Sequence, residues 1–190
     1  MTLIYAHRFF QQSSPSKCIS CRCCLFNARS IVNKIHELHQ LLYFDNYDVL
    51  LVTETWLHGD VNSGLLDPCS LYRVVRNDRV DSHHGGVAAL VKRSLCVAEE
   101  NVGKEFANLE LLCFDLVFGK CRVRFFVVYR PPYQDQIAMN NVNMLITCLK
   151  QYAVSDDYST NVVIGDFNCP KIDWKHLSSQ DDHISKSVLQ

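Results

Sequence analysis

A chain of 190 residues, 48% hydrophobic and 21% charged, has enough apolar material for one sizeable core and the length of a single domain. Its net charge of −1 excludes a protein that coats nucleic acid by bulk charge, so affinity for DNA must come from local clusters and bound cations. No run is long and apolar enough to span a membrane, and the short apolar start, broken by His7 and Arg8, does not read as a secretory signal. No membrane association is expected, and the expected setting is intracellular, nucleus or cytoplasm.

In chain order, the first 18 residues, with Gln11-Gln12-Ser13-Ser14-Pro15-Ser16, read as a disordered leader, and residues 19–190 as the folded domain. Strands are predicted over 19–26, 48–53, 71–76, 86–92, 109–117, 121–129 and 161–165. Ile31, Ile35, Leu38 and Leu42 recur at helical spacing, which predicts an amphipathic helix from Asn33 to Tyr43. Met139, Val142, Leu145, Ile146 and Leu149 do the same for a second helix ending near Tyr152. Phe118-Gly119-Lys120 reads as the turn of an antiparallel hairpin. Near the end, Asp182 reads as a helix cap, with Ile184 and Val188 on one face of the helix. Hairpin-paired strands with helices between other strands point to a mixed α/β sandwich rather than a purely parallel sheet.

Ten cysteines need an account. Cys18-Ile19-Ser20-Cys21 has the two-residue spacing of a zinc pair, but no second pair at such spacing accompanies it. Cys21 and Cys23 alternate along the first predicted strand and read as small apolar packing residues; zinc binding and a disulfide are the alternatives. Two arginine clusters, Arg73, Arg76 and Arg79, and Arg122, Arg124 and Arg130, read either as solvated strand-edge charges or as phosphate contacts.

The chemistry-bearing residues stand where strands end. Phe26-Asn27-Ala28-Arg29-Ser30 closes the first apolar stretch, and Thr53-Glu54-Thr55-Trp56-Leu57 follows Val49-Leu50-Leu51-Val52. Tyr129-Arg130-Pro131-Pro132 closes the run from Val123 to Val128, and Gly165-Asp166-Phe167-Asn168 follows Asn161-Val162-Val163-Ile164. An Asp and an Asn two residues apart point the same way from an extended chain, and together suit a phosphate, a water and a hard cation. Each has a local alternative: an Asx-turn for Asp166 and Asn168, a turn or cap for Asn27, an exposed carboxylate for Glu54, and a half-buried strand aromatic for Tyr129.

These four segments, in this order, resemble the endonuclease/exonuclease/phosphatase superfamily, and within it most resemble the apurinic-type endonuclease domain of non-LTR (LINE-type) retrotransposons. The resemblance covers residues 19–190. It implies an α/β (α+β) sandwich of two mixed β-sheets flanked by helices, a DNase-like four-layer fold. It implies Mg²⁺ (or Mn²⁺) on Glu54, with Asn27 beside it orienting metal waters or a phosphate oxygen. By the same resemblance Asp166 orients or deprotonates the attacking water, Asn168 hydrogen-bonds the phosphate, and Tyr129 places its hydroxyl near the scissile phosphate. Arg79 and Arg130 are expected substrate contacts. His83 and His84, ahead of Gly85-Gly86, read as a solvated loop, with DNA contact as the alternative. Trp174 reads as packing and Asp173 as a turn or cap.

In the family the domain continues with a strand bearing an acidic residue and closes on a Ser-Asp-His motif. Here the sequence runs to Val188-Leu189-Gln190, so a domain incomplete at its C-terminus is expected. Asp181-Asp182-His183 matches the closing motif in letters only, because no apolar strand leads into it. The resemblance implies a Mg²⁺-dependent phosphodiesterase, a DNA endonuclease that nicks target DNA to prime reverse transcription. It also implies a reverse transcriptase in the same polyprotein of a full-length element, and an activity impaired by the missing Asp–His pair. The alternatives are a phosphatase or RNA exonuclease of the same superfamily and a catalytically dead retrotransposon remnant.

Overall fold

The computed structural model describes residues 2–14, 17–79, 84–157, 159–179 and 183–189, with residues 2–20 as backbone only. The first sheet comprises β1 (Thr2–Ser14), β2 (Lys17–Asn27), β3 (Val49–Thr53), β4 (Tyr72–Asn77) and β5 (Val87–Lys92), in the spatial order β1-β2-β3-β5-β4. The β2–β3 pair is parallel, with Asn27 opposite Thr53, while the other pairs are antiparallel. A parallel pair needs a crossover, supplied by the helical segment Val32–Phe44. This segment is helical where expected but not uniform: it opens as a 3-10 turn at Val32–Lys34, continues as α1 (Ile35–His39) and ends in a wider turn, Gln40–Phe44. Leu38, Leu41 and Leu42, three and four residues apart, are buried on one face.

The second sheet comprises β6 (Cys96–Glu99), β7 (Glu110–Phe118), β8 (Cys121–Tyr129) and β9 (Ser159–Asp166), in chain order. β7 and β8 form the predicted hairpin, with Gly119 at φ +63° in its turn. β8 and β9 are parallel and are joined by α2 (Gln136–Tyr152), which is capped by the Asp135 carboxylate on the Ala138 N–H at 2.8 Å. The chain then makes a small hairpin, β10 (Ile172–Asp173) and β11 (Ser178–Ser179), and a short helix, α3 (His183–Val188). Ile184 is buried and Val188 partly so, as their shared face predicts; Asp181, Asp182 and the proposed cap lie outside the described residues.

Period-2 alternation explains the layering. Leu112, Phe114 and Leu116 of β7 and Val123, Phe125 and Val127 of β8 face the first sheet, with Phe114 and Phe125 stacked at 5.2 Å. The opposite faces, with Leu111, Cys113, Phe126 and Val128, pack on Leu145 and Cys148 of α2. On the far side, Phe26, Leu50, Val52 and Leu90 meet Leu38, Leu41 and Leu42 of the crossover. The order is helix, sheet, sheet, helix, as expected. Cys21 and Cys23 lie in the inter-sheet core with their sulfurs 3.7 Å apart, the packing role their alternation predicts.

The segment expected as a leader includes β1, Thr2–Ser14, which pairs antiparallel with β2. Its start is rich in β-branched and aromatic residues, and pairing satisfies a row of backbone groups that an edge strand would otherwise expose. Arg73 and Arg122 are exposed on their strands, as solvated strand-edge charges are expected to be, and the arginines of both clusters also have acidic or backbone partners. Arg73 pairs with Glu99, Arg76 with Asp78, Arg79 with Glu110, and Arg122 with Asp115. Arg124 is buried between Asp115, at 2.7 and 2.9 Å, and Glu100 at 2.9 Å. Among the described residues no helix is long and apolar enough to cross a membrane.

Candidate active site

The parallel register of β2 and β3 brings two strand exits together. Past the pairing of Asn27 with Thr53, the chains stay bonded: the Ala28 N–H donates to the Thr53 carbonyl at 2.9 Å, Ser30 to Glu54 at 3.1 Å and Ile31 to Thr55 at 2.9 Å. Glu54 and Trp56 adopt left-handed φ values of 52° and 53°, a conformation that costs roughly 1–3 kcal/mol for a residue with a side chain. The surroundings impose it. The N–H groups of Thr55 and Trp56 donate to the carbonyls of Gly86 and Gly85, and Gly86 itself sits at φ +83°, where an added Cβ would lie 2.6 Å from the Thr55 hydroxyl. The Gly-Gly step therefore holds the Glu54 loop in place. His84 is exposed, with its ring edge-on to Trp56 at 4.5 Å; His83 lies outside the described residues.

The second parallel pair does the same for the other sheet. Tyr129 lies opposite Asp166, and a Cβ on Gly165 would run into the Val128 carbonyl, so glycine permits the close approach of β9 to β8. Beyond Asp166 the chain turns through Asn168 at φ 47°. Its N–H donates to Asp166 Oδ1 at 3.1 Å and its side-chain Nδ2 to the Arg130 carbonyl at 2.7 Å. Arg130, expected to contact substrate, is instead turned inward and only 5% exposed. Its Nε donates to the Phe167 carbonyl at 2.6 Å, and its two terminal nitrogens to the carbonyls of Asn168 and Tyr133 at 2.6 and 2.9 Å. Those donors serve the loop, and Arg130 positions Asp166 rather than meeting solvent.

Asn27 joins the two sheets. Its Nδ2 donates to Glu54 Oε1 at 2.5 Å and to Asp166 Oδ2 at 3.0 Å, while its Oδ1 accepts from the Arg29 N–H at 3.2 Å. The Tyr129 hydroxyl also bonds Glu54. Burial first, and then the charges of Glu54, Glu110 and Asp166, hold this phenol well above the usual tyrosine range. Asn27, Glu54, Tyr129, Asp166 and Asn168 are thus brought into one cluster. Arg79 is about one-third exposed, with a terminal nitrogen 3.3 Å from Glu110 Oε1.

Glu110 escaped the sequence reading. It opens β7 opposite Tyr129, accepts from the Gly86 N–H and from Arg79, and is pushed upward in pKa by burial, against those two contacts. The signal was present: Glu110 is in phase with Leu112, Phe114 and Leu116 on the inward face of the strand, where a carboxylate is costly without partners. A cavity of about 970 Å³ lies alongside Glu110 and Tyr129, walled by Arg76, Arg79, Tyr133 and Ile137.

Glu54 and Asp166 offer hard carboxylate oxygens on either side of a single bridging amide. Among the described residues no three His, Cys, Asp or Glu side chains are grouped to hold an ion. One or two carboxylates with retained waters and substrate phosphate is the set that Mg²⁺ favours, and the residues present fit that cation.

Solved structures share this fold. The chain superposes on an AP endonuclease from Archaeoglobus fulgidus with a TM-score of 0.63 and 18% identity, over 88% of this chain and 69% of that one. The endonuclease domain of TRAS1, a telomere-specific non-LTR retrotransposon, gives 0.61 at 14% identity, over 88% and 67%. The 3′ phosphatase NExo from Neisseria, bound to product DNA hairpin, gives 0.62 at 15% identity, over 80% and 60%. The chain has the endonuclease/exonuclease/phosphatase fold. It spans 60–69% of the length of these three proteins of that fold. No family model matches the sequence, and no curated protein matches it significantly.

Proposed function

We propose that residues 19–190 carry the cation- and water-handling part of a phosphodiesterase that cuts DNA, with Mg²⁺ (or Mn²⁺) held by Glu54 and Asp166. The observation that carries this reading is the Asn27 amide, which spans a carboxylate from each sheet at 2.5 and 3.0 Å. Such a contact fixes the separation of two acidic groups that would otherwise repel one another. The cation, when bound, neutralises charge on the phosphate.

The chain's own residues supply the rest. Asp166, oriented by Asn27 and the Asn168 N–H, accepts the proton of a water that attacks phosphorus in line with the leaving oxygen; one P–O bond forms as the other breaks. Tyr129, kept as the neutral phenol by its surroundings, is a hydrogen-bond donor beside the reacting phosphate. Asn168 and Arg130 hold the Asp166 loop. The neighbouring cavity of about 970 Å³ has room for a nucleotide-sized group.

Target-site nicking for retrotransposition, with a reverse transcriptase in the same polyprotein, is the finer form of the reading. It is supported by the likeness to the TRAS1 domain and by the Asn27–Ser30, Glu54–Leu57, Tyr129–Pro132 and Gly165–Asn168 segments together.

A substrate panel tests the reading. With Mg²⁺, the chain is expected to nick supercoiled plasmid and to leave small phosphomonoesters intact. Release of inorganic phosphate from the esters without plasmid nicking would replace the endonuclease reading with a phosphatase one.

A further inference from the structure

A second tie between the sheets, beside that of Asn27, is made by Glu110. It opens β7 opposite Tyr129, in phase with the inward-facing Leu112, Phe114 and Leu116, and its side chain is 10% exposed. The carboxylate reaches across to the first sheet. One oxygen accepts from the Gly86 N–H, and the other lies 3.3 Å from a terminal nitrogen of Arg79. One residue on, Asn77 Nδ2 of β4 donates to the Leu111 carbonyl at 2.9 Å, so the two sheets are bonded at this end of β7 by side chains from both.

The backbone facing Glu110 is shaped to admit it. Gly85 and Gly86 have φ values of +91° and +83°, and a Cβ added to Gly85 would run into the Glu110 carboxylate. Glycine here meets two needs, a left-handed backbone and the approach of a charged side chain to the chain itself. A carboxylate withdrawn from water is costly unless it is hydrogen-bonded, and the Gly86 N–H supplies that bond.

The Gly-Gly step is in turn bonded to the loop that carries Glu54. Its carbonyls accept from the Trp56 N–H at 2.9 Å and the Thr55 N–H at 3.2 Å, directly after Glu54 at φ 52°. A residue with a side chain persists in that conformation only where its surroundings over-determine it. The contacts therefore run without a break from the second sheet to the Glu54 loop: Glu110 carboxylate, Gly86 N–H, the two glycine carbonyls, and the N–H groups of Thr55 and Trp56. The Arg79 contact is longer and about one-third exposed on the arginine side, and an ion pair of that kind contributes little. The acceptor oxygen at Gly86 outweighs the charge.

We propose that Glu110 is a positioning residue for the Glu54 carboxylate: from β7 it fixes the Gly85-Gly86 step, and through that step the loop that presents Glu54 to the cation. This inference rests on the reading that Glu54 holds the cation, and adds the residue that sets its geometry.

Two substitutions separate reach from charge. Glu110→Asp keeps the charge and draws the carboxylate back by one methylene. Glu110→Gln keeps the length and an acceptor oxygen and removes the charge. Both are made in a Trp174→Phe parent, where Trp56 is the sole tryptophan. Trp56 emission and acrylamide quenching are read without metal, and Mn²⁺ binding is read from the free-ion signal in electron paramagnetic resonance. Glu110→Asp should red-shift Trp56, raise its quenching, and weaken Mn²⁺ binding by roughly 10- to 100-fold, the scale of losing a group that orients a metal ligand. Glu110→Gln should keep the parent emission and bind Mn²⁺ within about threefold of the parent, the scale of a partly exposed ion pair. Parent-like emission and affinity in Glu110→Asp, or equal losses in the Asp and Gln variants, would each overturn the proposal. A parent that binds no Mn²⁺ would instead count against the cation reading, and the Trp56 emission would still decide whether Glu110 sets the loop.

Discussion

Both donated bonds of the Asn27 amide go to carboxylates from different sheets, Glu54 beyond β3 and Asp166 at the end of β9. Removing the amide leaves two acids facing each other with no shared donor. Asn27→Ala is expected to lower Mg²⁺-dependent plasmid nicking on the order of 10²–10³-fold, the scale of losing one preorganised donor, as measured by initial rates. A rate within twofold of wild type would remove Asn27 from the site. At this scale the sequence was informative about which residues meet, because all five sit at strand exits. It was silent about direction. Arg130 is a substrate contact only by the resemblance, and three backbone carbonyls draw its guanidinium inward. Glu110 was missed because a lone glutamate ahead of an apolar run resembles a solvated strand start.

Two parallel strand pairs carry the site, and each depends on a residue that permits close approach or a firm tie. In the β8–β9 pair this is Gly165. Gly165→Ala should destabilise the fold by about 1–3 kcal/mol through overpacking against the Val128 carbonyl. Gly59→Ala, where nothing lies within 4 Å of the added Cβ, should stay within about 0.5 kcal/mol of wild type. Chemical denaturation of the two variants measures the contrast, and equal stabilities would contradict the tight approach.

The first sheet is tied to its crossover by Tyr72 of β4, whose hydroxyl lies 2.8 Å from the carbonyls of both Leu42 and Tyr47. Burial raises this phenol to about 12, with the charges of Asp48 and Asp67 adding to the shift. The folded state thus holds the proton more tightly than the unfolded chain, whose tyrosines titrate near ~10. The stabilisation is present in full below pH ~10 and is lost as pH rises toward about 12. The melting temperature should fall across that window, and Tyr72→Phe should flatten the fall; an unchanged slope would sink the assignment. Elements with strong periodic patterns were legible, including β2, β3, β5, β7, β8 and α2. β6 was not, because its residues are largely exposed and give no apolar alternation. β1 was hidden because its pairing to β2 is a tertiary event that local composition does not announce.

On the scale of the whole molecule, two sheets packed face to face bring four strand exits from distant parts of the sequence to one place. Asn27 and Asp166 meet although 139 residues separate them. The order of the exit segments made the sandwich and the cluster legible, since each ends an apolar run in a residue suited to phosphate or metal chemistry. The internal pairing of the arginines was not legible, because it depends on which acids neighbouring strands bring opposite them. Arg73, Arg76, Arg79, Arg122 and Arg124 each have an acidic partner, and the proposed chemistry rests on the carboxylates and the cation they would hold. Supercoiled-plasmid nicking by the purified 190-residue chain with Mg²⁺, beside its Asp166→Ala variant and with EDTA as control, tests this most directly. The account predicts nicking that EDTA abolishes and that Asp166→Ala lowers on the order of 10²–10⁴-fold. Equal nicking by the two proteins, or none by either, would contradict it.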